Sequence, residues 1–259
     1  MLTLTPLPGI PLIQSGDDLA ALILQTCEQA NLQLADGDVL VLAQKIVSKA
    51  EGRLVNLAEV EPSTKAVVYA VETEKDPHLV ELILRESRTV LRTRPGLIIV
   101  EHRLGFVCAN AGIDHSNVAP PRTDEGEKPD DEWYLLLPED PDASAAALRA
   151  RLEAATGARL GVAIIDSHGR AWRNGTVGVC IGLSGLPGVV DLRGEPDLFG
   201  YELRVTEVGA ADELAAAASL VMGQAAEGTP VVHVRGFPYP LREGSLNELL
   251  RPRERDLFR

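Results

Sequence analysis

The strongest constraint on how this chain folds is a set of short, unbroken apolar runs: Asp38-Val-Leu-Val-Leu-Ala43, Leu160-Gly-Val-Ala-Ile-Ile165 and Pro230 to Val234. Runs of that length, bounded by turn signals, suit buried strands and are too short for helices. Helix signals lie between them. Asp17 to Asn31 places Leu19, Ala20, Leu22, Ile23 and Cys27 at helical spacing, with Ser15 as the expected N-cap. Pro62 to about Arg92 is helical in composition and broken at Asp76-Pro77, where the proline ring removes a donor. Ala143 to Thr156 follows an Asp142 cap, and Leu97 to Val100 with Gly105 to Cys108 predicts a hairpin. Glu202 to Val208, Ala210 to Met222 and Pro230 to Val234 read as strand, helix and strand, with a right-handed crossover if the strands are parallel. Because strands and helices intermix without strict alternation, the expected class is mixed α and β (α+β). Glycines at 175, 178, 182, 185 and 188 mark backbone that bends or comes close to something. The acidic, proline-rich stretch from Ala119 to Trp133 is the expected lobe boundary.

Composition removes several function classes. With 259 residues, 45% hydrophobic and 24% charged, the chain can bury a large core and is neither disordered nor fibrous. Its 38 acidic against 25 basic residues give a net charge of -13, with no basic run, which argues against nucleic acid as a partner. A small anionic ligand is not excluded, since a metal ion or a few lysines can invert the sign locally. Cys27, Cys108 and Cys180 are far apart and form no C-x-x-C, so buried small hydrophobes are expected rather than disulfides or zinc ligands. No window suits a membrane span and the N-terminus has no leader pattern, so the chain reads as cytoplasmic.

No P-loop, Rossmann turn, H-E-x-x-H or G-x-S-x-G occurs. What remains are polar segments after expected strands. Asn110-Ala-Gly-Ile-Asp114-His-Ser-Asn117 follows Phe106 to Cys108, and Asp166-Ser-His-Gly-Arg170 follows Leu160 to Ile165. Two aspartates with hydroxyl and amide neighbours form an all-oxygen set that suits Mg2+ or Mn2+. Each aspartate equally suits a turn or helix cap. His115 and His168, one and two residues after these aspartates, read as supporting donors. The segment from Ala43 to Gly52 offers Lys45, Ser48 and Lys49 to a phosphate or carboxylate, or reads as an exposed strand edge. Met222 to Thr229, at an expected helix end, lets Gly223 and Gly228 bring backbone amides to a ligand, or is a plain helix C-cap.

Five blocks in order, GIPLIQSGDDL, GDVLVLAQKIVSKAEGR, NAGIDHSNV, IIDSHGRAWRNG and VMGQAAEGTPVV, resemble the coenzyme F420-0:L-glutamate ligase family from Gly9 to about Gly236. The resemblance implies two intertwined lobes in one catalytic region spanning residues 1–259, a homodimer, and no second flavin-binding domain of the kind some relatives carry. It also implies GTP, a divalent cation (Mg2+ or Mn2+) and K+, used to join L-glutamate by γ-linked amide bonds to a 5-deazaflavin acid through an acyl phosphate. Matched block by block, Asp114, Asp166, Ser167 and Gln224 fall on metal positions. Ile10, Pro11, Leu12, Ile13, Gln44, Lys45, Lys49 and Asn117 fall on nucleotide contacts, as do Met222, Gly223, Gln224, Ala225, Ala226, Glu227, Gly228 and Thr229. Asp114, Asp166 and Lys49 are the expected catalytic groups. Ser167 stands where threonine is common, keeping the hydroxyl, and Gln44 where many relatives have serine. A ligase for another carboxylate acceptor, and a binding module without catalysis, are the alternatives.

Overall fold

The computed structural model describes residues 1–120 and 132–257, so most of the expected lobe boundary at 119–133 lies outside the described residues. The first half runs β1 (Thr3–Pro6), α1 (Leu19–Gln29), β2 (Val39–Ala43), α2 (Gln44–Ala50), β3 (Leu54–Asn56), α3 (Thr64–Thr73), α4 (Pro77–Arg85), β4 (Ser87–Arg94), β5 (Leu97–His102) and β6 (Val107–Ala109). Then come β7 (Trp133–Leu135), α5 (Pro141–Thr156), β8 (Gly161–Arg170), β9 (Arg173–Ser184), β10 (Val190–Asp191), β11 (Glu207–Val208), α6 (Ala210–Met222) and β12 (Val231–Arg235).

The three apolar runs meet in one mixed sheet of order β1-β12-β2-β8-β9, in which only β2 and β8 run parallel. Side chains alternate faces along a strand. Leu40, Leu42, Val162 and Ile164 enter a core under α1 and α5, while Val39, Val41, Ala163 and Ile165 enter a second core under α6. Burial on both faces is why these strands are apolar throughout rather than alternating. On β9 a Cβ at Gly178 would stand 2.5 Å from Ala215 O, and one at Gly182 2.5 Å from Pro141 C. The glycines therefore mark close approach, as expected, and it is α6 and α5 that come close.

A further core is built from Ala66, Ala70, Val80, Ile83, Ile98 and Val100, on α3, α4 and β5, beside the sheet of order β4-β5-β6. Phe106 packs against this core and against the one under α1 and α5, joining the two within an α+β fold. Among the described residues no helix is long and apolar enough to cross a membrane. All three cysteines are free and buried, with the Cys108 thiol pushed up to about 12 by burial.

Several local expectations are corrected. Asp18, not Ser15, caps α1 by accepting from Ala21 N at 3.0 Å. Asp140 caps α5, leaving Pro141 at the first helical position, where its missing donor costs nothing. Asp142 instead accepts from Leu183 N at 2.8 Å and Leu246 N at 2.9 Å, tying α5 to β9 and the C-terminal segment. Helix stops at Arg85 rather than about Arg92, because Ser87–Arg94 pairs antiparallel with β5. Its Thr89, Val90 and Thr93 also favour strand. The strand expected to stop at Ile165 runs on to Arg170, since its polar half pairs with β9 from Asp166↔Val179 to Arg170↔Arg173. Of Glu202 to Val208 only the last two residues are strand, and they pair with β10, so no parallel crossover forms with β12.

A buried ionic cluster beside the core of α3, α4 and β5 makes stability depend on pH. Glu86 accepts from Arg53 Nη2 at 3.0 Å and Arg103 Nη1 at 3.3 Å. His102 Nδ1 accepts from Leu104 N at 3.0 Å, so the neutral ring carries its proton on Nε2, 3.8 Å from Glu86 Oε2. Burial, then the charges of Arg103, His168, Arg53 and Arg88, push His102 down to about 4. Since that lies below the ordinary 6.5, the unfolded chain takes the proton first. The associated stability is complete above pH 6.5 and drains away as pH falls toward 4. Urea unfolding across that range should show wild type losing up to about 3 kcal/mol through this group. His102→Phe should have a flatter pH profile, and equal slopes would refute the assignment.

Candidate active site

The site begins where β2 ends. Helix α2 starts at Gln44 directly after the strand, so Gln44, Lys45 and Lys49 sit on a helix rather than an exposed strand edge. Beside it, Asn110 and Ala111 adopt left-handed backbone (φ 49° and 54°). They turn the chain into Asp114, whose N and O exchange bonds of 2.9 Å with Leu135. The backbone beneath the carboxylate is thereby fixed. Parallel pairing of β2 and β8 brings Asp166 and Ser167 to the same end of the sheet. Asp166 is mid-strand rather than at a strand end, but it stands just beyond the last strongly apolar residue, Ile165.

These segments surround a cavity of about 830 Å³. Leu12, Ile13, Gln44, Lys45, Lys49, Asp114, Asn117, Asp166, Ser167 and the whole of Met222 to Thr229 line it. Ile10 and Pro11 are not among the lining residues: Ile10 packs on the core and Pro11 is exposed. His168 lines the cavity, with Nε2 3.0 Å from Asp166 Oδ2 but off the line of a hydrogen bond, and its ring tilted on Phe106. His115 stacks on Tyr134 instead, with centroids 4.9 Å apart.

Polar contacts cross the cavity in a chain. Asp114 Oδ2 accepts from Gln44 Nε2 at 2.6 Å, and Oδ1 lies 3.1 Å from Lys45 Nζ. Lys45 Nζ also donates to Ser116 O and Oγ at 2.9 and 3.0 Å, and Lys49 Nζ donates to Asn117 O at 2.7 Å. Asn117 Nδ2 donates to Ala225 O at 2.9 Å, latching the 114–117 turn to the loop after α6. Ser167 Oγ donates to Gln224 Oε1 at 2.8 Å, and Gln224 Nε2 donates to Ser219 Oγ at 2.8 Å. Ser116 and Ser219 are functional neighbours that sequence reasoning missed. Ser116 lay inside a block already singled out, whereas Ser219 is marked only by its place on α6 below Gln224.

The charges are arranged against one another. Burial raises the Asp114 pKa and Asp166 adds to the rise, opposed by Lys45 and Gln44. Burial lowers that of Lys49, and the like charge of Lys45 lowers it further. The Glu227 carboxylate accepts from Ala225 N at 2.8 Å, and backbone N–H groups of the loop hold it below the usual carboxylate range. The loop thus presents amides to a negative charge, as anion-binding nests do. Among the described residues no three His, Cys, Asp or Glu side chains form a closed metal cage. A metal here would rest on two carboxylates plus the Ser167 hydroxyl and the Gln224 amide oxygen. That set suits a hard divalent ion, and two carboxylates facing one cavity supply the negative charge it needs.

Comparison with known proteins places the chain among named relatives. Coenzyme F420:L-glutamate ligase of Methanothermobacter thermautotrophicus is 49% identical over 260 residues, covering 100% of this chain and 99% of that one. The protein of the same name from Methanopyrus kandleri is 48% identical, covering 100% and 98%. That from Archaeoglobus fulgidus is 44% identical, covering 98% and 95%. The model of the F420-0:Gamma-glutamyl ligase family matches residues 9–236, a span that holds every cavity residue named above, and the chain belongs to that family.

Proposed function

We propose that the chain is a ligase that forms a carbon–nitrogen bond between L-glutamate and coenzyme F420-0, a 5-deazaflavin acid, at the expense of GTP. The observation that supports this best is a single cavity lined by Asp114, Asp166, Lys45, Lys49 and an amide-presenting loop that carries Glu227. A carboxylate and an amine do not condense unaided near neutral pH, so the carboxylate must first gain a leaving group. In this reading the acceptor carboxylate attacks the γ-phosphorus of GTP: an O–P bond forms and the β,γ-bridging bond breaks, releasing GDP. The glutamate amine then attacks the acyl phosphate, forming C–N, expelling inorganic phosphate and losing a proton.

Within this scheme Lys45 and Lys49 act as point charges toward phosphate oxygens. The backbone N–H groups of residues 224–227 would donate to a phosphate oxygen as Ala225 N donates to the Glu227 carboxylate. Asp114, Asp166, Ser167 and Gln224 would hold Mg2+ or Mn2+, which when bound neutralises charge on the transferring phosphoryl group. K+ belongs to the same reading through the family resemblance, with no residue assigned to it.

The test is a mass-spectrometric assay of purified protein with GTP, Mn2+ or Mg2+, L-glutamate and the deazaflavin acid, with GDP release scored in parallel. Glutamate-sized mass additions requiring both GTP and metal are expected. GTP turnover with no adduct on this acceptor, but an adduct on another carboxylic acid, would replace the acceptor. Binding without turnover would leave a non-catalytic module.

A homodimer is part of the same proposal, supported by the ribbon of β10 and β11. The segment between its strands leaves Leu198 98%, Phe199 95% and Val205 86% exposed. Light scattering should return twice 27.8 kDa. The monomer mass would refute it.

A further inference from the structure

We propose that Gln44 is a positioning residue for the Asp114 carboxylate, fixing it for a divalent cation, rather than a contact to the nucleotide; this rests on the metal reading above. Gln44 is 1% exposed and Ser48, one turn along α2, is 0% exposed. Ser48 Oγ lies 2.8 Å from Gln44 Oε1, and Gln44 Nε2 lies 2.6 Å from Asp114 Oδ2. The direction of this chain follows from chemistry. An ionised carboxylate only accepts, so the atom facing it is the amide nitrogen, and the hydroxyl must then donate to the amide oxygen. Ser48 thus selects the amide orientation, and the amide selects the carboxylate orientation.

The carboxylate is restrained at both oxygens by consecutive residues, Lys45 at Oδ1 and Gln44 at Oδ2. The bonds with Leu135 fix its backbone. Each carboxylate oxygen has two lone pairs, so one on each remains for the cavity. The engaged side chain of Gln44 keeps a single N–H and a single lone pair free, on a residue with almost no surface, which is poor equipment for reading a nucleotide. Partners that orient a ligating group typically cost 10–100-fold in metal affinity when lost.

Gln44→Met keeps length and volume and removes both bonds. In protein free of substrates, Mn2+ affinity, read from the electron paramagnetic resonance signal of free Mn2+, should fall about tenfold. GTP affinity, measured in chelator without metal, should stay near wild type. Unchanged Mn2+ affinity with weakened metal-free GTP binding would overturn the proposal. Should Gln44→Met fail to fold, Ser48→Ala decides. A smaller loss of Mn2+ affinity supports the chain of bonds, and an unchanged affinity overturns it. Wild type and Asp114→Asn binding Mn2+ equally would sink the metal reading and this inference together. If only Asp114→Asn loses the ion, the role of Gln44 fails alone.

Discussion

Asp114→Asn and Asp166→Asn are each expected to lower turnover about a thousandfold while leaving the fold intact. The magnitude follows from several kcal/mol of charge stabilisation by a metal, at about 1.4 kcal/mol per factor of ten. Intact folding follows from the surroundings. Asp166 lies within β8, where its register opposite Val179 belongs to the backbone, and asparagine has nearly the same shape. At position 114 the asparagine carbonyl still accepts from Gln44, and its amide nitrogen, which cannot accept from Lys45, leaves that lysine, part-exposed, to its two bonds with Ser116. Burial raises the pKa of Asp114, so its charge is a cost in the free protein, and the neutral amide should not lower the urea midpoint. The decisive measurements are kcat at saturating GTP, glutamate and Mn2+, and unfolding of the same preparations. Wild-type turnover in either variant would remove these carboxylates from the metal site, whereas loss of turnover with loss of fold would mean they are structural.

The parts of the fold legible in the sequence are those decided by local chemistry or by burial on both faces. Val39 to Ala43 is recognisable because nothing polar interrupts a strand covered by helices on each side. Asp76-Pro77 marks the start of α4 because the carboxylate caps it and the proline fits its first position. Asp140 and Asp142 flank the same proline, and local sequence does not say which caps the helix. The answer came from Leu183 and Leu246, which are distant in the chain and claim Asp142. Ser87–Arg94 and Asp166–Arg170 differ from their sequence expectations for a related reason: each carries polar residues that blur the pattern, and pairing with a partner strand, β5 or β9, decides its extent. The site was legible as blocks, since Asp114, Lys45, Lys49, Ser167 and Gln224 do converge. What spacing did not reveal is which residue supports which. Ser116 under Lys45 and Ser219 behind Gln224 carry no distinguishing pattern, and Ser48, expected to face a phosphate or carboxylate, is buried behind Gln44 instead.

Asp38→Ala should be the most damaging single change to stability, and it lies at the far end of β2 from the cavity. Asp38 is 1% exposed. Its Oδ1 accepts from Arg235 Nε at 2.9 Å, and its Oδ2 accepts from Arg235 Nη2 at 2.7 Å, His233 Nε2 at 2.8 Å and Ala35 N at 2.9 Å. Burial alone would raise its pKa, but the Arg235 and His233 bonds outweigh burial and hold the carboxyl below its ordinary value. A carboxyl with a depressed folded value stabilises the protein above its unfolded pKa, and that contribution is lost as pH falls through the folded one. At neutral pH it is therefore fully present. Removing the carboxylate leaves His233, 3% exposed between β1 and β2, without an acceptor and frees the Arg235 fork. Arg235 is half exposed and keeps its bond to Gln33 O, so the cost comes from the lost bonds to the carboxylate and from buried His233, about 3 kcal/mol, and the urea midpoint should fall accordingly. Asp38→Asn keeps one acceptor oxygen and should cost less, about 1–3 kcal/mol. Since β2 carries the effect no further than about 17 Å of packed strand allows, kcat per folded molecule should remain that of wild type. A change below about 1 kcal/mol for Asp38→Ala would show that the three-element junction of β1, β12 and β2 is held by its apolar contacts alone. A normal midpoint with reduced kcat would instead tie this end of the sheet to the chemistry at the other.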